Sequence, residues 1–119
     1  MIVDVHTHYQ FPGFMANPQA YRDREPFAAF LASNPKHRDV TVEETVAAAD
    51  RAGVDRVGLL GGMYVQHETC VELNDHGLAS LAQYPDRLLV LACLQPRAGR
   101  DAVREFRRCV EGGMAGAGE

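Results

Sequence analysis

The chain has 119 residues, 46% hydrophobic and 24% charged, with a formal net charge of −4. This is the composition of one small globular domain, not of a disordered chain, and an acidic balance without a basic cluster argues against nucleic acid as a partner. No apolar run nears the ~20 residues of a membrane span, and no basic region leads into an apolar one as a signal peptide would, so a cytoplasmic location is expected.

Ile2, Val3 and Val5 open the chain as a strand. Side chains alternate along a strand, so Asp4, His6 and His8 point to one face. Two imidazoles two residues apart can reach one metal ion, and a carboxylate on the same face can orient them. Polar groups at a buried strand end need partners, and metal coordination supplies one.

Residues 9–40 read as an irregular stretch broken by Pro12, Gly13, Pro18, Pro26 and Pro35, with a short helix around Glu25 to Ala32. Six aromatics fall here: Tyr9, Phe11, Phe14, Tyr21, Phe27 and Phe30. A long loop rich in aromatics is either a lid or pocket wall, or a satellite cluster holding the loop down, and both can hold. His37 sits between Lys36 and Arg38 and reads as solvated.

Thr41-Val42-Glu43-Glu44 is a capping-box pattern, so a helix runs from Thr41 to Ala52, with Val42, Thr45, Val46 and Ala49 inward. Gly53 ends it. Val54 to Leu60 is the second strand, closed by Gly61 and Gly62. Gln66 to Gln83 is a helix with Cys70, Leu73, Gly77, Leu78 and Leu81 as its apolar stripe, and His67 and His76 partly exposed. Arg87 to Leu94 is a nearly continuous apolar run, as in a strand covered on both faces. Gly99 to Glu111 is a further helix with Ala102, Val103, Phe106, Cys109 and Val110 inward, and Met114 to Glu119 begins a fourth strand. Cys70, Cys93 and Cys109 form no C-x-x-C pair and read as small buried hydrophobes in a reducing compartment.

Strands alternating with amphipathic helices define an α/β chain with a parallel sheet of right-handed βαβ units. Ligands of such folds bind at the carboxyl ends of the strands. His6 and His8, Gly61 and Gly62, Gln95 and Arg97, and Glu119 all fall there, with Gln95 and Arg97 as candidate substrate-binding groups.

Val3-Asp4-Val5-His6-Thr7-His8 resembles the D-x-H-x-H opening of the amidohydrolase superfamily. Ala49-Asp50-Arg51-Ala52-Gly53-Val54-Asp55-Arg56, Asn74-Asp75 and Tyr84-Pro85-Asp86-Arg87 resemble segments of its amidohydrolase-related group, typified by aminocarboxymuconate-semialdehyde decarboxylase. The resemblance implies a distorted (β/α)8 barrel in which His6 and His8 ligate a divalent ion, commonly Zn2+, with Asp4 behind them. It implies action on a small-molecule substrate, as a hydrolase of C–N and related bonds or, alternatively, as a non-oxidative decarboxylase of an aromatic or muconic acid. Glu119 resembles the strand-four glutamate that ligates metal in some branches.

A full barrel takes about 250 residues, so 1–119 reads as the N-terminal three to four βα units of such an enzyme, inactive alone. The family's later histidine ligands and its aspartate base have no counterpart here. Two open sheet edges would favour association, including a half-barrel that dimerises. Two other readings compete: a small α/β protein binding metal without catalysis, and an H-x-H phosphoesterase barrel of the PHP type, whose pattern Tyr9-Gln10-Phe11-Pro12-Gly13 matches poorly, or of the TatD type, which rests mainly on Glu119.

Overall fold

The computed structural model describes residues 1–118. Strand β1 (Val3–His8) leads into three short helices, α1 (Pro12–Ala16), α2 (Pro18–Arg22) and α3 (Pro26–Ala32). Then follow α4 (Val42–Ala52), β2 (Arg56–Leu60), α5 (His67–Gln83), β3 (Leu88–Ala92), α6 (Arg100–Glu111) and β4 (Gly116–Ala117). The four strands pair in parallel, as the alternation implies, in the order β1-β2-β3-β4.

Apolar residues of the two central strands make the core. Val57 and Leu59 of β2 and Leu88, Val90 and Ala92 of β3 share it with Val42, Val46 and Ala49 of α4 and Leu73 of α5. The start of α4 is set by its capping box: Thr41 Oγ1 accepts from the Glu44 amide at 3.2 Å, and the Glu44 carboxylate accepts from the Thr41 amide at 3.0 Å. Gly53, at φ 68°, ends that helix in the left-handed conformation. The second and third strands are shorter than the apolar runs suggest, because Val54 still bonds back to Ala49, and Cys93 is taken up by Asn74 of α5.

Residues 9–40 are more regular than expected. Pro12, Pro18 and Pro26 do not break helices; each starts one. A fixed φ and a missing N–H suit the first helical turn, where the amide has no partner within the helix. The aromatics divide three ways. Tyr9, Phe11 and Phe14 enter the main core, with Tyr21 edge-on to Phe11 at 5.1 Å between centroids. Phe27 lines a cavity, and Phe30 is 68% exposed.

The face of α6 also differs from its apolar pattern. Ala102, Glu105 and Cys109 are buried, while Val103 and Val110 are 60% and 45% exposed. Glu105 turns inward because it has partners there: its carboxylate accepts from Asn74 Nδ2 at 2.8 Å and from Arg108, which also pairs with Asp75 at 2.7 Å. Burial alone would raise the Glu105 carboxyl, but the Arg108 and Asn74 bonds hold it below its ordinary value.

Candidate metal centre

His6 and His8 sit at the carboxyl end of β1, the outer strand of the sheet, and both are exposed. Pairing with β2 shifts between Asp4 and Thr7, so β1 carries a bulge there. The Asp4 carboxylate accepts from the His6 amide at 3.1 Å. Asp4 thus holds the backbone beneath His6 at the irregular step. Past the bulge the two imidazoles converge, Nε2 to Nε2, at 3.1 Å.

His8 Nδ1 lies 2.8 Å from the Gly61 carbonyl at the end of β2. A carbonyl accepts, so Nδ1 carries the proton and Nε2 carries the lone pair. Gly61 is required at this step: a Cβ there would lie 2.5 Å from Leu73 Cδ2 and 2.8 Å from Cys93 Cβ. Two nitrogens 3.1 Å apart can both lie about 2.1 Å from one ion, the ordinary zinc–imidazole distance. The donor set, neutral imidazole with its tautomer fixed by a carbonyl, also fits a divalent transition metal. Among the described residues no group of three or more His, Cys, Asp or Glu side chains is placed to hold an ion.

Beside His8 lies a cavity of about 330 Å³, walled by Phe27 and Leu31 of α3 and by His37, Arg38 and Asp39. Its walls are held by polar bonds spread across residues 9–40. The Gln10 amide donates to the Val40 carbonyl at 2.8 Å, closing the excursion at its base. Asp39 accepts from Arg22 at 2.7 Å, from Gln10 Nε2 at 3.3 Å and from His37 Nε2 at 3.2 Å. The Tyr64 hydroxyl donates to Gln10 Oε1 at 2.6 Å, and burial pushes that phenol above its ordinary value. Glu25, fully buried, accepts from the amides of Val65 at 2.6 Å and Gln66 at 3.3 Å. Gln66 is the N-cap of α5 and its own side chain makes no cap bond, so Glu25 serves that helix end from a distant part of the chain.

Other sequence candidates are placed differently. His37 is half-buried against Asp39, not solvated; the alternating His37 and Asp39 were the signal that the flanking Lys36 and Arg38 obscured. Gln95 serves the fold, donating to the Tyr64 carbonyl at 2.9 Å and accepting from the Arg97 amide at 3.1 Å. Arg97 is exposed in the short 3₁₀ turn Pro96–Ala98, and neither residue lines the cavity. Glu119 lies outside the described residues.

The amidohydrolase family model matches residues 3–118, and the chain belongs to that family. A dihydroxybenzoic acid decarboxylase from Polaromonas sp., solved with manganese and the inhibitor 2-nitroresorcinol, is 22% identical with a TM-score of 0.68, covering 98% of this chain and 37% of its own. A 2,6-dihydroxybenzoate decarboxylase from Rhizobium is 22% identical with a TM-score of 0.66, over 98% and 37%. The 4-oxalomesaconate hydratase of Rhodopseudomonas palustris is 17% identical with a TM-score of 0.65, over 98% and 40%. The α/β fold is therefore the opening βα units of their barrel, and the chain spans 36 to 40% of the length of the solved structures it matches. No curated protein matches the chain.

Proposed function

We propose that His6 and His8 are the first two metal ligands of a metal-dependent hydrolase that acts on a small molecule, with Zn2+ as the ion and the cytoplasm as its location. The observation that carries this is the convergence of the two Nε2 atoms at 3.1 Å, with His8 held in the ligating tautomer by Gly61. Catalytic zinc takes three protein ligands and an open position; Glu119 is the proposed third. When bound, such an ion supplies Lewis acidity, lowering the pKa of water to about 7 and polarising a substrate carbonyl. The chain's own residues do the rest. Gly61 keeps the His8 lone pair on Nε2, and Asp4 fixes the backbone under His6. Phe27 and Leu31 supply an apolar wall, and Arg38, paired with Glu44, lies beside it.

A second reading, a decarboxylase of an aromatic acid, is favoured by that same wall. A flat ring would lie against Phe27 and Leu31, with its carboxylate competing with Glu44 for the exposed Arg38. No helix among the described residues is long and apolar enough to cross a membrane.

The test is zinc binding by competition against a chromogenic chelator, with elemental analysis of the purified protein. Wild type is expected to hold zinc, and the double variant His6→Ala, His8→Ala to lose it. Equal zinc content in the two would refute the assignment.

A further inference from the structure

All three cysteines are buried free thiols, and none belongs to the centre above. Cys70 lies near the N-terminal end of α5, and Cys93 directly follows β3. Their Sγ atoms are 3.5 Å apart. The contact is built into the backbone. Asn74, one helical turn after Cys70, clamps Cys93: its Nδ2 donates to the Cys93 carbonyl and its Oδ1 accepts from the Cys93 amide, each at 2.8 Å. Residues four apart share one face of a helix, so the face of α5 that fixes the Cys93 backbone also meets its sulfur.

The two thiols are unequal. Their mutual hydrogen bond holds Cys70 below the ordinary thiol value against the opposing effect of burial, and it holds Cys93 above that value together with burial. Cys109 makes no sulfur hydrogen bond to either member of the pair. Its Sγ lies 3.4 Å from Glu105 Oε1, and burial and that carboxylate push its thiol up to about 12.

We infer that Cys70 and Cys93 are an oxidisable dithiol, closing to a disulfide with hydrogen peroxide. A disulfide needs a sulfur separation of about 2.05 Å, so the two sulfurs, in side chains 0% and 1% exposed, must approach by about 1.5 Å, and peroxide must be admitted to the core to reach them. The Cys70 thiolate attacks one peroxide oxygen; the O–O bond breaks, and hydroxide leaves and takes up a proton to become water. The Cys93 sulfur then attacks the Cys70 sulfenic acid; the S–S bond forms, the S–O bond breaks, and the hydroxyl leaves as water with the Cys93 proton. Two thiols lose two electrons, and one peroxide becomes two waters.

The bond would form at the foot of the histidine pair. Cys93 Sγ lies 3.2 Å from the Gly62 carbonyl, and the Cys93 side chain abuts Gly61, whose carbonyl holds His8. Closure would therefore act next to Gly61, whose carbonyl orients His8. The inference holds whether or not the histidines bind metal.

The experiment treats the folded chain with hydrogen peroxide, alkylates the remaining thiols and maps the peptides by mass spectrometry. Expected are a 2 Da loss, a cross-linked Cys70–Cys93 peptide and Cys109 recovered alkylated, its own loss at least about tenfold slower. Cys93→Ala, which removes both the resolving sulfur and the hydrogen bond that lowers the Cys70 thiol, should abolish the mass loss; the wild-type map stands without it if that variant does not fold. Recovery of all three thiols under peroxide that fully oxidises glutathione overturns the inference, as does oxidation of Cys109 at the rate of the other two.

Discussion

Glu25→Ala tests how the 9–40 excursion is fastened over the site. The Glu25 carboxylate is fully buried and accepts two amides, one at 2.6 Å and one at 3.3 Å. Hydrogen bonds to charged groups contribute about 1.5–3 kcal/mol each. The short bond to Val65 counts in the upper part of that range, and the long bond to Gln66 near or below its floor. Relief from burying a charge offsets part of the sum. Glu25→Ala should therefore cost about 3 kcal/mol, and Glu25→Gln, which keeps one acceptor, about half of that. The assay is urea unfolding, read as a shift of midpoint at unchanged slope. Amide exchange at Val65 and Gln66 should accelerate in the alanine variant. A cost below about 0.5 kcal/mol, the range of ordinary surface substitutions, with exchange unchanged, would refute the fastening role.

Thr41→Ala removes half of the capping box of α4 and should cost about 1 kcal/mol, while Thr41→Ser should retain most of the stability; matched urea midpoints for alanine and wild type would contradict this. His76 is half-buried, 6.1 Å from the Tyr9 ring, and burial lowers its pKa below 6.5 in the folded chain. The folded state thus favours the neutral ring, and below pH 6.5 the unfolded chain binds more protons. Stability from this group is present near pH 7 and is lost as pH falls through 6.5 toward the folded value. Unfolding midpoints measured from about pH 7.5 to 5.5 should fall less steeply in His76→Gln than in wild type; identical slopes would sink the claim.

What the sequence shows and what it hides divide along physical lines. The start and end of α4 are legible because the cap is local: Thr41, Glu44 and Gly53 carry the signal within thirteen residues. The parallel sheet is legible from the alternation of strands with helices and from the apolar run that becomes β3. The burial of Glu105 is not, because its partner Asn74 sits 31 positions away. Periodicity sees an apolar face at Val103 and Val110 and cannot see a polar bond across two helices. The same holds at the site. His6 and His8 are two residues apart on one strand and stand out. Gly61, which fixes the tautomer of His8, lies 53 positions on. His37 reads as solvated because Asp39 belongs to a network with Arg22 and Gln10 that chain order scatters.

The bond between Gln10 and Val40 gives residues 11–39 a particular standing in the chain. Its two ends meet, so the segment is a detour whose length the rest of the sheet does not register. Lengthening such a detour is cheap, about 0.6 kcal/mol for each doubling. The Gln10–Val40 bond joins the β1 exit to the approach to α4, while Phe11, Phe14 and Glu25 tie the segment between them to the core and to α5. The cavity wall at Phe27 and Leu31 belongs to the detour, while His6 and His8 belong to the frame. The surface presented to a ligand can therefore change by insertion between the short helices of 11–39, as long as Phe11 and Phe14 in the core and Glu25 at the start of α5 keep their places.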